Sequence, residues 1–271
     1  MKAPISPRWL LAALALALAA VLSRAGRWSA LAFHETAFAE GWLLLALMAT
    51  LILFNARKKL SRLPLGHASS WLGGHVAIGL ASVGVFLSHI GWRVPNGRLE
   101  VLLTGLFAAM VASGLMGLYL NRTVPTRLTR RGEPVSFERI PSLVDDIRER
   151  IETLAEAALS ECHSTTIPEF YRRRLLPYLA RHRFVWRHIF KPAAGPVWQP
   201  EIDALAVQLD DRERAAMTEI AKLLAAKDDL DYRHAWQGLM HGWLFVHIPL
   251  AYSLLLFSLL HLAAVYAYAP G

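Results

Sequence analysis

Two stretches decide the fold: SSWLGGHVAIGLASVGVFLSHIGW, residues 69–92, and GWLFVHIPLAYSLLLFSLLHLAAVYAY, residues 242–268. Each is long and apolar enough to cross a bilayer, whose hydrocarbon core of about 30 Å takes about 20 helical residues. Each also carries two histidines fourteen residues apart, His75 and His89 in the first, His247 and His261 in the second. Imidazole is polar, and within hydrocarbon it needs a cavity, a partner or a cofactor. At about 100° per residue, fourteen residues turn roughly 1400°, about 40° short of four turns. The two rings of each stretch therefore share nearly one helix face, about 21 Å apart along the axis.

The rest of the chain is consistent with a membrane setting. Of 271 residues, 55% are hydrophobic and nine are Trp, and the mean hydropathy is +0.33. The net charge of +8 does not point to nucleic acid, because the basic residues sit beside apolar runs as they do in cytoplasmic loops. Cys162 is the only cysteine, which excludes an intramolecular disulfide, a four-cysteine iron–sulfur cluster within the chain and the C-x-x-C-H attachment of covalent haem. Cys162 with His163 is two adjacent ligands without companions, and an ordinary loop thiol is the simpler reading.

Five apolar segments are expected to span: Trp9–Ser23, Gly41–Phe54, Ser69–Trp92, Val101–Leu120 and Gly242–Tyr268. The first follows Lys2 and Arg8 and reads as an uncleaved helix, with the apolar region of a signal peptide as the alternative. Arg57, Lys58, Lys59 and Arg62 follow the second segment, and Arg122, Arg127, Arg130 and Arg131 follow the fourth, which makes both connections cytoplasmic. The amino terminus is then inside and the carboxyl terminus outside, in what is expected to be the bacterial cytoplasmic membrane. The third and fifth segments run the same way, so His75 shares a depth with His247, and His89 with His261. The predicted class is all-α: a membrane bundle of residues 1–121 completed by 238–271, with a mostly helical cytoplasmic insertion over 122–237.

Within the insertion, Ser142-Leu-Val-Asp145 reads as a capping-box variant before Leu143, Ile147, Ile151, Leu154 and Ala158 at helical spacing. A second amphipathic helix is expected from about Asp211 through Ala226, where Ile220, Leu223 and Leu224 form a stripe. Pro192, Gly195, Pro196 and Pro200 mark the loop before it. The run from Tyr171 to Lys191 is rich in arginine and aromatics: Arg172, Arg173, Arg174, Phe184, Trp186, Arg187 and Phe190. It reads either as a basic surface against anionic headgroups or as a dock for an acidic redox partner, and positive-inside statistics favour the first.

Four matched histidines call for one explanation. Structural zinc wants four ligands converging on a point, and two rings about 21 Å apart on one helix cannot converge. A flat macrocycle taking one imidazole from each of two facing helices fits, and fits twice. His241, six residues before His247, is turned about 240° away, while His34, His67, His163, His182, His188 and His234 lie in connections or in the insertion. Gly73, Gly74, Gly79, Gly84 and Gly91, with Gly105, Gly114 and Gly117, supply small faces suited either to a haem or to close helix packing. Pro249 removes an N–H two residues after His247 and is expected to kink that segment. Arg93 and Arg98 at one end, and Arg57, Arg122 or Arg127 at the other, are placed to meet haem propionates.

These residues resemble the di-haem membrane cytochromes b, and the placement of ligands on the third and fifth segments is similar to the ferric-reductase and NADPH-oxidase transmembrane domain. The resemblance covers under half the chain. It implies two non-covalent haem b groups with His75 and His247 on the inner iron and His89 and His261 on the outer. It further implies electron transfer across the bilayer between a redox protein or quinone and an acceptor on the other side, within a larger oxidoreductase complex. The chain departs from that pattern in having no G-x-G-x-x-G after a strand and no Pro-Glu-Trp-Tyr motif, so it is expected to conduct electrons as a subunit. The rival from another class is a haem-free transporter or scaffold whose histidines relay protons or bind metal.

Overall fold

The computed structural model describes residues 33–59, 68–129, 135–162, 165–180, 185–190 and 198–268. The expected first span Trp9–Ser23, the basic residues Arg62, Arg130 and Arg131, the proline-rich stretch 191–197, and His67, His163 and His182 lie outside them, as do the side chains of His34, Arg57, Lys58, Lys59, Cys162 and Trp186. Every long element is helical, and no strand occurs among the described residues. In chain order the helices are α1 (Phe33–Lys59), α2 (Ala68–His89), α3 (Arg98–Thr129), α4 (Ile140–Cys162), α5 (Thr166–Phe170), α6 (Leu176–Leu179), α7 (Val185–Phe190), α8 (Gln199–Ala206) and α9 (Asp211–Tyr268). A 3-10 turn at Phe137–Arg139 leads into α4, and a π turn at Tyr171–Leu175 joins α5 to α6.

Trp71–His89, Arg98–Thr129 and Asp211–Tyr268 are long and apolar enough to cross a membrane, while Ala37–Leu53 is a shorter apolar helix. The chain thus has the helices of an integral membrane protein. It divides into two compact units, residues 1–120 with 243–271, and residues 121–242.

The first unit is an apolar bundle turned outward. Leu44, Val85, Phe107, Leu120 and Leu254 are buried in it, whereas Trp42, Leu53, Leu115, Phe245, Leu256 and Leu259 are exposed. That distribution suits a lipid solvent, which imposes no penalty on outward leucine. Helix directions follow from the contacts. Phe38 meets Tyr266 edge-on at 5.6 Å, and Met48, further along α1, accepts a hydrogen bond from Ser258 Oγ at 3.6 Å, so α1 and α9 are antiparallel. Between α2 and α3, Phe86 stacks on Phe107 with centroids 4.0 Å apart.

The end of α2 has a specific cause. Gly91 at φ +60° allows the chain to reverse, Gly91 N–H donates to Ser88 O at 2.9 Å, and Trp92 N–H donates to Leu87 O at 3.2 Å. This pair of bonds is the Schellman closure, and glycine is the residue that takes the left-handed position without a Cβ clash. The helix therefore stops one turn after Val85, with His89 in its last turn and Trp92, itself at φ 58° and exposed, at the bundle's edge.

The second unit has a conventional core. Ile147, Ile151 and Ala158 of α4 are buried at the expected helical spacing, with Leu143 and Leu154 partly buried, and they pack with Ile220, Leu224 and Met217 of α9. The N-terminal box assigned to Ser142 is corrected: α4 already begins at Ile140, and Ser142 Oγ donates back to Arg139 O at 2.9 Å. The preceding 3-10 turn moves the true start upstream. A reciprocal box instead opens α9, where Glu213 N–H donates to Asp210 Oδ1 and Asp210 N–H to Glu213 Oε2, both at 2.8 Å. The helix expected over Asp211–Ala226 and the segment expected from Gly242 are one 58-residue helix, which continues through Pro249.

Buried charge in this unit is internally matched. Lys227, fully buried, pairs with Asp231 one turn on, donates to Tyr178 O at 3.3 Å and sits 4.0 Å from the centre of the Tyr178 ring. Burial first, then the Asp228 and Asp231 carboxylates, hold the Tyr178 phenol above the usual tyrosine range. In the arginine-rich run, Arg173 pairs with Glu169 at 2.7 Å and Arg174 with Glu201 at 3.2 Å, while Phe190 is exposed.

Candidate functional site

The four histidines lie on the two parallel helices of the first unit, α2 and α9. The imidazoles of His75 and His247 are within electrostatic reach of each other, and so are those of His89 and His261. Each pair takes one ring from each helix, at two levels of the bundle. All four rings are partly buried.

What holds each ring is as informative as what it faces. His89 Nδ1 lies 2.9 Å from Ala37 O of α1. A carbonyl only accepts, so this nitrogen carries the proton and Nε2 keeps its lone pair, the form that binds a metal. The ring also rests against bare backbone, since a Cβ added at Gly41 would sit 3.2 Å from His89 Cε1. Beside it, Ser88 Oγ donates to Glu40 Oε1 at 2.6 Å, tying the end of α2 to the start of α1. Glu100, in the first turn of α3, acts electrostatically on His261.

At the other level, His247 Nδ1 and Ser113 Oγ of α3 are 3.0 Å apart, which again leaves Nε2 as the outward nitrogen. Trp243, one turn before His247, donates its indole N–H to Ser113 O at 2.8 Å and lies 4.9 Å from the His247 ring. The indole fits over Gly117, where any Cβ would collide with it. His75 approaches the backbone of Leu51 on α1. Ser113, Gly117 and Trp243 thus form one positioning group for His247.

The donor set matches what a bis-histidine haem requires. A metal-bound histidine almost always gives its second ring nitrogen to a carbonyl, a carboxylate or water; His89 gives its own to a carbonyl, and His247 Nδ1 is engaged with the Ser113 hydroxyl. Among the described residues, a Cβ at Gly74 or Gly79 of α2, or at Gly105 or Gly114 of α3, would meet nothing within 4 Å. Among the described residues no group of three or more His, Cys, Asp or Glu comes together as a metal cluster.

The remaining histidines with described side chains belong to the second unit. His241 Nδ1 lies 2.9 Å from Gln237 O, and the rings of His241 and His234 each lie 4.8 Å from that of Phe137. His188 lies 3.6 Å from Asp228. Of the arginines expected to meet propionates, Arg93, Arg98 and Arg122 are exposed, whereas Arg127 lies over the Trp236 ring at 4.6 Å. Spacing singles out the histidines but not Ala37, Glu40, Gly41, Glu100, Ser113, Gly117 or Trp243. Only Trp243 carried a readable signal, sitting four residues before His247 on the same helix face. Compared with protein-family models, curated proteins and solved structures, the chain matches none.

Proposed function

We propose that the chain is a membrane cytochrome b subunit that passes electrons across the bilayer. The observation that carries this reading is the pairing of imidazoles between α2 and α9 at two levels, with Nδ1 of His89 and of His247 already engaged. His75 and His247 would hold one haem b, His89 and His261 the other. A haem ligated by two imidazoles supplies one-electron transfer without an open coordination position. Around it the chain's own residues do the orienting: the Ala37 carbonyl and Gly41 set the His89 ring, and Ser113 and Trp243 set His247.

In this reading the bundle has five spans, with the amino terminus and residues 122–237 on the cytoplasmic side of a bacterial inner membrane and the carboxyl terminus outside. His75 and His247 are then the inner pair and His89 and His261 the outer. The donor or acceptor on one side is a quinone or a redox protein, and the chain works within a larger oxidoreductase complex in contact with membrane lipid.

The test is a reduced-minus-oxidised visible spectrum with haem quantification on the full chain purified in detergent. Two b-type haems per chain are expected, and His89→Ala should remove about half of the haem. A folded protein without a b-type band, or with fewer than two haems, overturns the reading in favour of a haem-free membrane protein. Loss of neither haem in His89→Ala overturns the ligand assignment.

A further inference from the structure

Acidic residues are rare in the first unit and unevenly placed. Residues 1–120 and 243–271 contain no Asp and only Glu35, Glu40 and Glu100. Glu35 and Glu40 lie early in α1, and Glu100 lies in the first turn of α3, so all three occupy the end of the bundle that holds His89 and His261. Two of them are tied to that pair, Glu40 by a hydrogen bond and Glu100 by its charge. Glu40 accepts the hydrogen bond of Ser88, the residue next to His89, and is itself half-buried. Glu100 acts electrostatically on His261 from the first turn of α3.

The His75–His247 pair lies at the other level of the bundle. Its described contacts include a backbone group at Leu51, the Ser113 hydroxyl and the Trp243 ring. Glu40 precedes Leu51 by eleven residues on α1, about 16 Å of rise, and Glu100 precedes Ser113 by thirteen on α3, about 20 Å. At those separations, and with only two carboxylates involved, their field falls far more heavily on one pair than on the other. Beyond Leu51, α1 ends in Arg57, Lys58 and Lys59.

We infer that Glu40 and Glu100 make the two sites electrostatically unequal. They lower the reduction potential of the group held at His89 and His261 relative to the group held at His75 and His247. The inference rests on the haem reading above. A negative charge beside a redox centre opposes the arrival of an electron, and it does so more strongly where water is excluded. An electron shared between the sites therefore rests at His75 and His247. The intrinsic gradient favours movement from the level of His89 and His261 toward that of His75 and His247.

Potentiometric titration of the haem-loaded full chain, followed at the b-type visible bands, tests this. Two components are expected, and the one remaining in His261→Ala should be the component of higher potential. In Glu40→Gln/Glu100→Gln the lower component should rise while the upper stays, shifting electron partition between the sites about threefold to tenfold; tenfold corresponds to about 59 mV for one electron. Each single Gln variant should give part of that shift. If both components move equally, if neither moves, or if the lower component is the one remaining in His261→Ala, the inference is wrong while the haem reading stands. An unsubstituted protein without two haems overturns the haem reading and this inference with it.

Discussion

Adding one methyl group to α3, as Gly117→Ala, should disturb the bundle and the His247 ring together. The Cβ position at Gly117 lies 2.6 Å from Trp243 Cε2, with two further ring carbons closer still. Carbon–carbon contacts settle at about 3.5 Å or more, so the indole must retreat by about 1.5 Å to clear its nearest ring carbon. Overpacking of this kind costs about 1–3 kcal/mol. The Trp243 N–H bond to Ser113 O, now 2.8 Å, would stretch beyond bonding range, adding about 1 kcal/mol. The combined loss is about 2–4 kcal/mol, against which the better helix propensity of alanine returns at most about 1. The assay is reversible unfolding of the full chain in mixed micelles, followed by tryptophan fluorescence, with Gly242→Ala as the control because a Cβ there meets nothing within 4 Å. Trp243→Leu should relieve the clash, so its cost in the Gly117→Ala background should be smaller than in the parent. Equal stability of Gly117→Ala and Gly242→Ala would refute the reasoning.

Two predictions concern the second unit. Lys227→Met removes the ammonium that pairs with the buried Asp231 carboxylate, and should cost about 3–5 kcal/mol in the same unfolding assay. The double variant Lys227→Met/Asp231→Leu should recover most of that, and a double variant as unstable as the single would count against the pair being self-contained. Tyr178 should ionise only above the ordinary tyrosine range in an alkaline absorbance titration. Its folded value is raised, so the stability it contributes is complete below the ordinary tyrosine pKa of about 10 and is lost as pH climbs from there toward the folded value. Tyr178→Phe should flatten that alkaline loss, and an unchanged pH dependence would contradict the burial-and-carboxylate account.

Long-period features were readable in the sequence and short-range partners were not. The stripe of Ile147, Ile151 and Ala158 repeats at helical spacing, so α4 announces itself before any coordinates. The four histidines stand out because an imidazole in an apolar run is rare and the interval recurs. The unity of α9 was hidden, because the switch from amphipathic to apolar composition between Ala226 and Gly242 looks like a boundary although no residue there breaks a helix. Ser142 imitated a cap because Ser followed by an acid at the third position scores as one wherever it falls, and the 3-10 turn upstream is invisible to that rule. Ser113, Glu40 and Gly41 belong to no motif at all. Their roles come from which helix lies opposite, and that is decided by tertiary packing.

The hydrogen bond from His89 to Ala37 differs in kind from the one between His247 and Ser113. Its acceptor is a main-chain carbonyl, which every residue type provides, so no single substitution at position 37 deletes it. His247 depends on a hydroxyl that one nucleotide change can abolish, with threonine the nearest substitute. Under random drift the two levels of the bundle therefore age differently: one ring is held by the shape of the chain, the other by the identity of a single side chain.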